Sequence, residues 1–527
     1  MDWIRYGPNA LLLRFAQKAD ESAFLLGRAW LAELERDPPE GLIEIVPAFT
    51  TVLLLFSGRS EADRGWDRWS RSTSGPQLLA TTDPGRSVEL VVRYGGLDLD
   101  RVAARARMSV SEVIRAHCAP WYRVHCLGFS PGFPYLGGLD PRLSTPRLDT
   151  PRVQVPAGSV AIGGEQTGIY SIASPGGWNL IGTTSTPMFR PDAASVDEAF
   201  FLQAGDRVRF LDAGSEAGKA GKAPESNAPS AAPMAPADPG VAACRIHSIG
   251  VGISIQDGGR PGYQRFGVPP GGAMDSHAAV WANRLLDNPP GAPVLELCLQ
   301  GQRIEILEDG WLAWTGGDGG GTAHRRPWSA FRVRAGEIHS FPASPTGVWS
   351  YLAVPGGFVG PRFLGSVSAN PRAGMGAMIR DGAVVCRNSD FPFTPPSALV
   401  MRRPARTEVP SDFGMPAFPV WPGPQWDSFS PAGRALFFAS EWVVSPQSDR
   451  VGYRLQGPAL PSPLYGMISE PVLPGSIQVP PGGQPIVTMP DGPTLGGYPK
   501  IGFLEPAARA RLAQCRPGRR VRFVPVT

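Results

Sequence analysis

The sequence predicts a mainly β chain of several barrel-like units, with a small α+β unit at its N-terminus. Three observations carry that expectation. Gly 64 and Pro 58 in 527 residues punctuate short apolar runs, the pattern of many short strands and tight turns. One segment occurs twice: GSVAIGGEQTGIYSIASPGGWNLIG (158–182) and GSIQVPPGGQPIVTMPDGPTLGGYPKIG (475–502) share a Gly-Ser-apolar-x-apolar start and a Gly-Gly-aromatic-x-x-Ile-Gly end. Such self-similarity marks one supersecondary unit used more than once. Residues 213–240, rich in Ala, Pro, Gly and Ser, cannot build a core and read as a disordered linker between two halves.

Residues 1–85 form the α+β unit. Asn9 to Phe15 is strand-like. Glu21 to Arg36 reads as a helix with Phe24, Leu31 and Leu34 near one face, stopped by Pro38-Pro39. Leu42 to Val46 and Thr51 to Phe56 read as strands, and Ser60 to Ser70 as a second helix offering Trp66 and Trp69 for burial. The order β-α-β-β-α predicts two helices on an antiparallel sheet.

Residues 86–212 read as a nearly closed barrel with one helix. Ser87 to Tyr94 alternates as a strand. Ser109 and Glu112 have capping-box spacing, which predicts a helix to about His117. The first repeat copy follows, and Asp206 to Leu211 is a closing strand. After the linker, residues 241–400 and 401–527 read as two further barrel-like units, split somewhere near 390–415. Ser276 to Leu286 has helical periodicity, Trp311 to Trp314 and Ser350 to Val354 are buried-strand candidates, and Val354-Pro-Gly-Gly-Phe358 is a degenerate third echo.

Composition excludes several function classes. The net charge is only +4, with scattered basic residues, which argues against nucleic acid or a membrane surface as partner. Six cysteines and six histidines show no zinc-ligand spacing, so no metal site is assigned. No run is long enough to span a bilayer, and the expected location is cytoplasmic. Gly128-Phe129-Ser130-Pro131-Gly132 matches a nucleophile elbow in letters only. That chemistry needs the backbone N–H after the serine, and Pro131 has none. The stretch reads as a rigid aromatic turn. A phosphate-binding G-x-x-x-x-G-K-[ST] is absent, and the glycine-rich 316–321 gives only a weak anion-loop signal.

Polar residues crowd three Gly- and Pro-rich places in the second half. These are Gln256–Arg260 with Asp275 nearby, Ser445–Arg450 with Tyr453-Arg454, and Gln478, Gln484, Asp491, Thr494 and Lys500 within the second repeat copy. Lys500 stands out as the only lysine after the linker.

The long motifs are similar to a known family. LGFSPGFPYLGGLDPRLSTPR (127–147), VPAGSVAIGGEQTGIYSIASPGGWNLIG (155–182) and the Thr-Pro-x-Phe at 186–189 resemble the B subunit of bacterial ATP-dependent 5-oxoprolinase, also called allophanate hydrolase subunit 1 or KipI. IQDGGRPGYQRFGVPPGGAMD (255–275), SPQSDRVGYRLQGP (445–458) and 475–502 resemble its C subunit, KipA. The resemblance implies three cyclophilin-like β-barrel domains, related to the carboxyltransferase domain of urea carboxylase. It implies ATP-driven opening of 5-oxoproline to glutamate with a separate A-type subunit, and ATP and Mg2+ as cofactors. The chain departs from the family in GGDGGG (316–321) and around Gly374–Asp381, where it is shortened.

A lactam is unreactive, so its activation needs cationic groups for phosphate, a carboxylate for acid–base or magnesium work, and a dry cleft. By residue type, Arg450, Arg454 and Arg260 are the phosphate candidates, with Lys500 as a further phosphate contact or catalytic group. Asp491 or Asp275 is the acid–base or metal-holding candidate. Gln166, Tyr170, Gln478, Gln484 and Thr494 are the substrate-binding candidates. Two other classes stay open: a biotin-dependent carboxyltransferase component acting on urea or a related amide, and a kinase-inhibiting binding protein. No biotin-attachment Met-Lys-Met occurs, which rules out a complete urea carboxylase.

Overall fold

The structure, a computed structural model, describes residues 1–70, 76, 85–216, 240–318, 326–342, 346–390, 401–403, 415–463 and 467–526. Most of the linker read at 213–240, the end of the glycine-rich loop 316–321 and most of the unit boundary at 390–415 lie outside these residues.

The N-terminal unit is a four-stranded antiparallel sheet in the order Asp2–Arg5, Ala10–Arg14, Thr51–Phe56, Leu42–Pro47. Strand Asp2–Arg5 adds to the predicted order. Helix Glu21–Arg36 starts where Asp20 accepts from the Ala23 N–H at 2.9 Å. Leu11 and Leu13 bury one sheet face against Trp30, Leu31 and Leu34 of that helix. Ala10 and Leu12 bury the other face in a core shared with later units. The unbroken ALLLR run follows from this double burial.

The second unit is a closed seven-stranded barrel. Its last strand, Arg207–Asp212, runs parallel to its first, Ser87–Tyr94. The capping box at Ser109 and Glu112 is present, and the helix it opens is Val110–Cys118. A second helix, Leu99–Ala106, was not expected; it stops at Arg107 in a left-handed conformation (φ 55°). Tyr122, His117 and Phe210 fill the barrel, with the His117 and Phe210 rings stacked at 4.6 Å.

The third unit departs from the expected barrel. It has two sheets, of four and six strands, that do not close on each other. Met401–Arg402 pairs with Ala330 and Phe331 of the six-stranded sheet, so this unit runs past residue 400. Helix Ser276–Arg284 covers the sheet's outer face, where Ala278 and Ala282 pack with Trp311 and Ala313.

The fourth unit is again a closed seven-stranded barrel, with Ala417–Pro422 parallel to Arg520–Pro525. Phe437, Phe523 and Trp442 fill it. Helices Pro431–Ala439 and Pro506–Ala513 were not expected.

The repeat is a three-strand element of both closed barrels. Ser159–Gly163 lies between Gln166–Ile169 and Asn179–Thr183, and Ser476–Gln478 lies between Ile486–Thr488 and Lys500–Phe503. The echo at 354–358 is different. It is a turn that follows strand Thr346–Ala353, with Gly356 and Gly357 at positive φ.

Candidate functional site

The two halves meet on the aromatic turn 128–132. Phe129 holds a left-handed backbone (φ 66°), a conformation that costs a β-carbon-bearing residue energy and is kept where the surroundings enforce it. A Cβ on Gly128 would stand 2.2 Å from Leu495 Cδ1, and one on Gly267 would stand 2.1 Å from the Ser130 carbonyl oxygen. Glycine is therefore required at both contacts. The strap around 263–268 also pairs Phe266 with Leu127, and the Gly132 N–H donates to the Phe266 carbonyl at 2.8 Å. Glu44 of the N-terminal unit, buried, accepts from both the backbone and the side chain of Gln264. Burial pushes the Glu44 carboxyl above its usual range, against those hydrogen bonds.

Behind the turn, three units share one core. Tyr6 and Phe49 come from the first unit, Phe133, Tyr135, Tyr170 and Trp178 from the second, and Leu473, Leu495 and Phe503 from the fourth. The Tyr6 hydroxyl meets Ser476 Oγ at 2.6 Å.

Two sets of buried ions flank this core. In the first, Arg450 forks onto Asp491 at 2.7 and 3.0 Å and onto Glu296 at 2.5 Å, and donates to the Gly272 carbonyl at 2.8 Å. Glu296 also accepts from the Met274 N–H and the Tyr351 hydroxyl, both at 2.8 Å. The Tyr351 oxygen accepts from the Asp275 N–H at 2.7 Å. Asp275 caps helix Ser276–Arg284 and accepts from Gln514 at 2.8 Å. Burial raises the Asp275 and Glu296 carboxyls. Burial alone would lower Arg450, but Asp491 and Glu296 outweigh it and hold the guanidinium strongly charged. Arg260, 1 % exposed, joins this set. Its Nη1 has no hydrogen-bond partner among the described residues and lies beside Gly271, as does Asp491 Oδ1.

In the second set, Lys500 is fully buried with Nζ 3.3 Å from Glu470, which also pairs with Arg14 at 3.1 Å and accepts from Gln425 at 2.7 Å. Burial lowers the Lys500 ammonium against the pull of Glu470. Burial would raise Glu470, but Lys500 and Arg14 bring it below its usual range.

The segment Pro490–Lys500 joins the two sets. Along it, the buried Thr494 Oγ1 has no partner among the described residues. Gln478 donates to Thr488 Oγ1 at 2.9 Å. Opposite, Arg147 of the second unit lies over Trp178 at 5.9 Å, and its Nη1 is 2.8 Å from where a Gly497 Cβ would be. Arg147 makes no ion pair among the described residues.

The sequence candidates thus separate. Arg450, Asp491, Asp275 and Arg260 converge in one network, although they were drawn from three separate polar stretches. Lys500, Gln478 and Thr494 lie in the neighbouring set. Gln166 is buried in strand Gln166–Ile169, alternating onto the face of Gly168, which abuts Phe133. Tyr170 belongs to the shared core, and burial pushes its hydroxyl up to about 12. Two candidates stand apart from both sets. Arg454 is exposed on strand Gly452–Gln456 without a side-chain partner among the described residues. Gln484 is spent locking a loop, accepting from the Gly457 N–H at 2.9 Å and donating to its carbonyl at 3.1 Å. Sequence reading passed over Glu470, Arg14, Gln425 and Arg147. The Thr-Pro-Arg of the 127–147 motif was the one local hint of the last.

Arg147, and the excess of Lys500 and Arg14 over Glu470, suit an anionic ligand. The ionic sets do not suit a resident metal. Asp491 and Glu296 share the Arg450 guanidinium and Glu470 is held by Lys500 and Arg14, and no group of three His, Cys, Asp or Glu side chains among the described residues has metal-binding geometry. A cavity of about 800 Å³ lies elsewhere, inside the open third unit.

Comparison with known proteins gives concordant matches. Residues 266–525 match a family described as carboxyltransferase domain, subdomain A and B, and residues 1–199 match carboxyltransferase domain, subdomain C and D. The second half is 34% identical over 284 residues to the C subunit of 5-oxoprolinase from Escherichia coli, covering 53% of this chain and 90% of that protein. The first half is 36% identical over 222 residues to the B subunit of 5-oxoprolinase from Bacillus subtilis, covering 39% of this chain and 90% of that protein. The crystal structure of TTHA0988 superposes with a TM-score of 0.82 at 34% identity, covering 98% of this chain and 99% of that one. Urea amidolyase of Lachancea kluyveri is 29% identical over 313 residues, 54% of this chain and 17% of that protein.

Proposed function

The chain belongs to the family of the 5-oxoprolinase B and C subunits, here joined in one polypeptide, and from that membership we propose that it is the B–C component of an ATP-dependent 5-oxoprolinase. It activates a cyclic amide for hydrolysis to glutamate together with a separate A-type subunit. The observation that carries this reading is Arg147. It is a guanidinium without a carboxylate partner among the described residues, set by one half of the chain against Gly497 of the other.

5-Oxoproline is a lactam ring bearing a carboxylate. A guanidinium grips a carboxylate through two parallel N–H donors, so Arg147 anchors that group. Trp178 supplies the flat apolar wall beneath it. Thr494 Oγ1 and Gln478 orient the ring amide, and Thr494 gains there a partner for its buried hydroxyl. ATP supplies the phosphoryl group that turns the lactam oxygen into a leaving group. Arg260 Nη1, buried beside the Arg450–Asp491 pair without a partner among the described residues, is the phosphate donor of this reading. The buried acids are already paired, so a magnesium ion would be held by the nucleotide's own phosphates. Lys500 keeps Glu470 ionised and fixes the floor of the site, with its lowered basicity available for proton transfer.

The test is ATP consumption that depends on 5-oxoproline, assayed with an A-type subunit present. Arg147→Ala should raise KM for 5-oxoproline by about 10- to 100-fold, the worth of a charged hydrogen bond, with kcat little changed. No ATP consumption by the wild-type pair sinks the proposal.

The carboxyltransferase family match and the urea amidolyase similarity favour a second reading, carboxyl transfer from carboxybiotin to an amide. Carboxyl transfer with ATP omitted would establish it over the first.

A further inference from the structure

We propose that the seam between the first and fourth units holds a small inorganic monoanion of the halide class, bound by Lys500, Arg14 and Thr51. Three groups that donate hydrogen bonds converge there, and the acceptors beside them are already occupied.

An ammonium carries three N–H donors and no acceptor, and a guanidinium carries five. Lys500 is fully buried, yet its Nζ has one contact among the described residues, to Glu470 at 3.3 Å. Arg14 likewise has one side-chain contact among them, also to Glu470, at 3.1 Å. The third group is the Thr51 hydroxyl, which is 0 % exposed and has no partner among the described residues. Its direction follows from the sheet. Arg14 and Thr51 stand opposite each other on strands Ala10–Arg14 and Thr51–Phe56, so both side chains leave the same face. Leu12 and Leu53, the opposed pair two residues along, lie on that face, and both belong to the core shared with the fourth unit. Thr51 therefore points into the seam where Arg14 meets Glu470.

The neighbouring acceptors cannot serve these donors. Glu470 Oε1 takes Arg14, and its Oε2 takes Lys500 and the Gln425 amide. Gln425 Oε1 takes the Lys500 backbone N–H at 3.0 Å. Charge points the same way. Glu470 and Arg14 are the charges that act on Lys500, so two cations share one carboxylate. Asp2, the other cross-strand neighbour of Arg14, is exposed and forms no ion pair with it among the described residues. One uncompensated positive charge, taken out of water, calls for one negative charge with free lone pairs. A monoanion supplies both. It must be small, because Lys500 and Thr51 lie fully inside, and it enters along Arg14, whose side chain is 27 % exposed. The ion would tie the N-terminal sheet to the last barrel. Arg147 is no part of it, and the proposal stands whether or not the chain acts on a lactam.

The experiment is chloride NMR line broadening by the full-length chain, with sodium gluconate, an anion too bulky for the site, holding ionic strength constant. The expected result is saturable broadening that bromide removes and sulfate does not. The melting temperature should rise with chloride and level off, as for any ligand that binds the folded state alone. Thr51→Val should weaken chloride binding about tenfold, the worth of one hydrogen bond to a charged group. In gluconate the same variant should melt no lower than the wild type, since it loses only an unbonded hydroxyl. Lys500→Met should abolish the saturable broadening, and Arg147→Ala should leave it unchanged. Absence of saturable broadening, equal displacement by sulfate, or undiminished affinity in both Thr51→Val and a Lys500→Met chain that melts cooperatively would overturn the proposal.

Discussion

The two closed barrels share a skeleton and differ in what they bury. Each has seven strands, a parallel closing pair and the same three-strand repeat. Inside the first, the sealed polar group is neutral. The Thr167 hydroxyl donates to the Ala161 carbonyl at 3.0 Å, so His117 Nε2 donates to Thr167 at 2.9 Å. The Tyr94 hydroxyl then donates to His117 Nδ1 at 2.7 Å. Burial holds His117 neutral, lowering it to about 3. The last barrel instead presents buried ions at its borders: Lys500 with Glu470, and Arg450 with Asp491. A neutral, fully bonded group is enough to specify a fold. Buried ions carry a desolvation cost and add little net stability. The first barrel also buries two carboxylates, Asp98 and Asp206, but their partners Arg152 and Arg86 reach solvent, whereas Lys500 and Arg450 are held inside with their acids.

That contrast breaks first under acid. An unfolded histidine binds its proton near pH 6.5, whereas folded His117 resists down to about pH 3 and His125 to about pH 4. Their contribution is complete above about pH 6.5 and is lost as the pH falls. His117 alone accounts for about 5 kcal/mol by pH 3. Urea denaturation at stepped pH should show this decline, with a shallower slope in His117→Gln. Equal slopes in the two proteins would refute the assignment. Next, Arg450→Ala leaves Asp491 and Glu296 buried without their cation and should cost about 3–5 kcal/mol in the same assay. Adding Asp491→Asn to that variant should restore part of the loss.

Thr494→Val sharpens the comparison at smaller scale. Its hydroxyl lacks a partner among the described residues, so stability should change by less than about 1 kcal/mol, while KM for 5-oxoproline rises. An unchanged KM would remove Thr494 from the site. Smallest of all, Arg454→Ala should alter neither the melting temperature nor either kinetic constant, as befits an exposed side chain without a partner among the described residues.

Local chemistry made much of the fold legible. The Ser109–Glu112 capping box, the Glu21–Arg36 helix and the Ser87–Tyr94 strand are set by nearest neighbours, and they appear where spacing puts them. The repeat gave the shared three-strand element. The helices at 99–106, 431–439 and 506–513 were harder to see, being only eight or nine residues long, although Pro431 and Pro506 stand at first-turn positions that favour a helix start. The site was legible by residue type but not by partnership. Glu470 carries no local mark; it matters because Arg14, 456 positions away, and Lys500 converge on it. Arg454 and Gln484 lie apart from both sets, since polar residues in a Gly- and Pro-rich stretch also serve as plain surface and turn locks.

The strap across the aromatic turn bears on how the chain is made. A ribosome emits the first half complete, with Phe133, Tyr135 and Trp178 ready to pack, long before Leu495 and Phe503 exist to cover them. Gln264, which satisfies Glu44, emerges soon after the linker, well ahead of the last barrel. The early arrival of the strap gives the nascent first half a partial cover during synthesis. Joining the halves in this order also fixes their ratio at one to one at birth, with no search for a partner in a crowded cell.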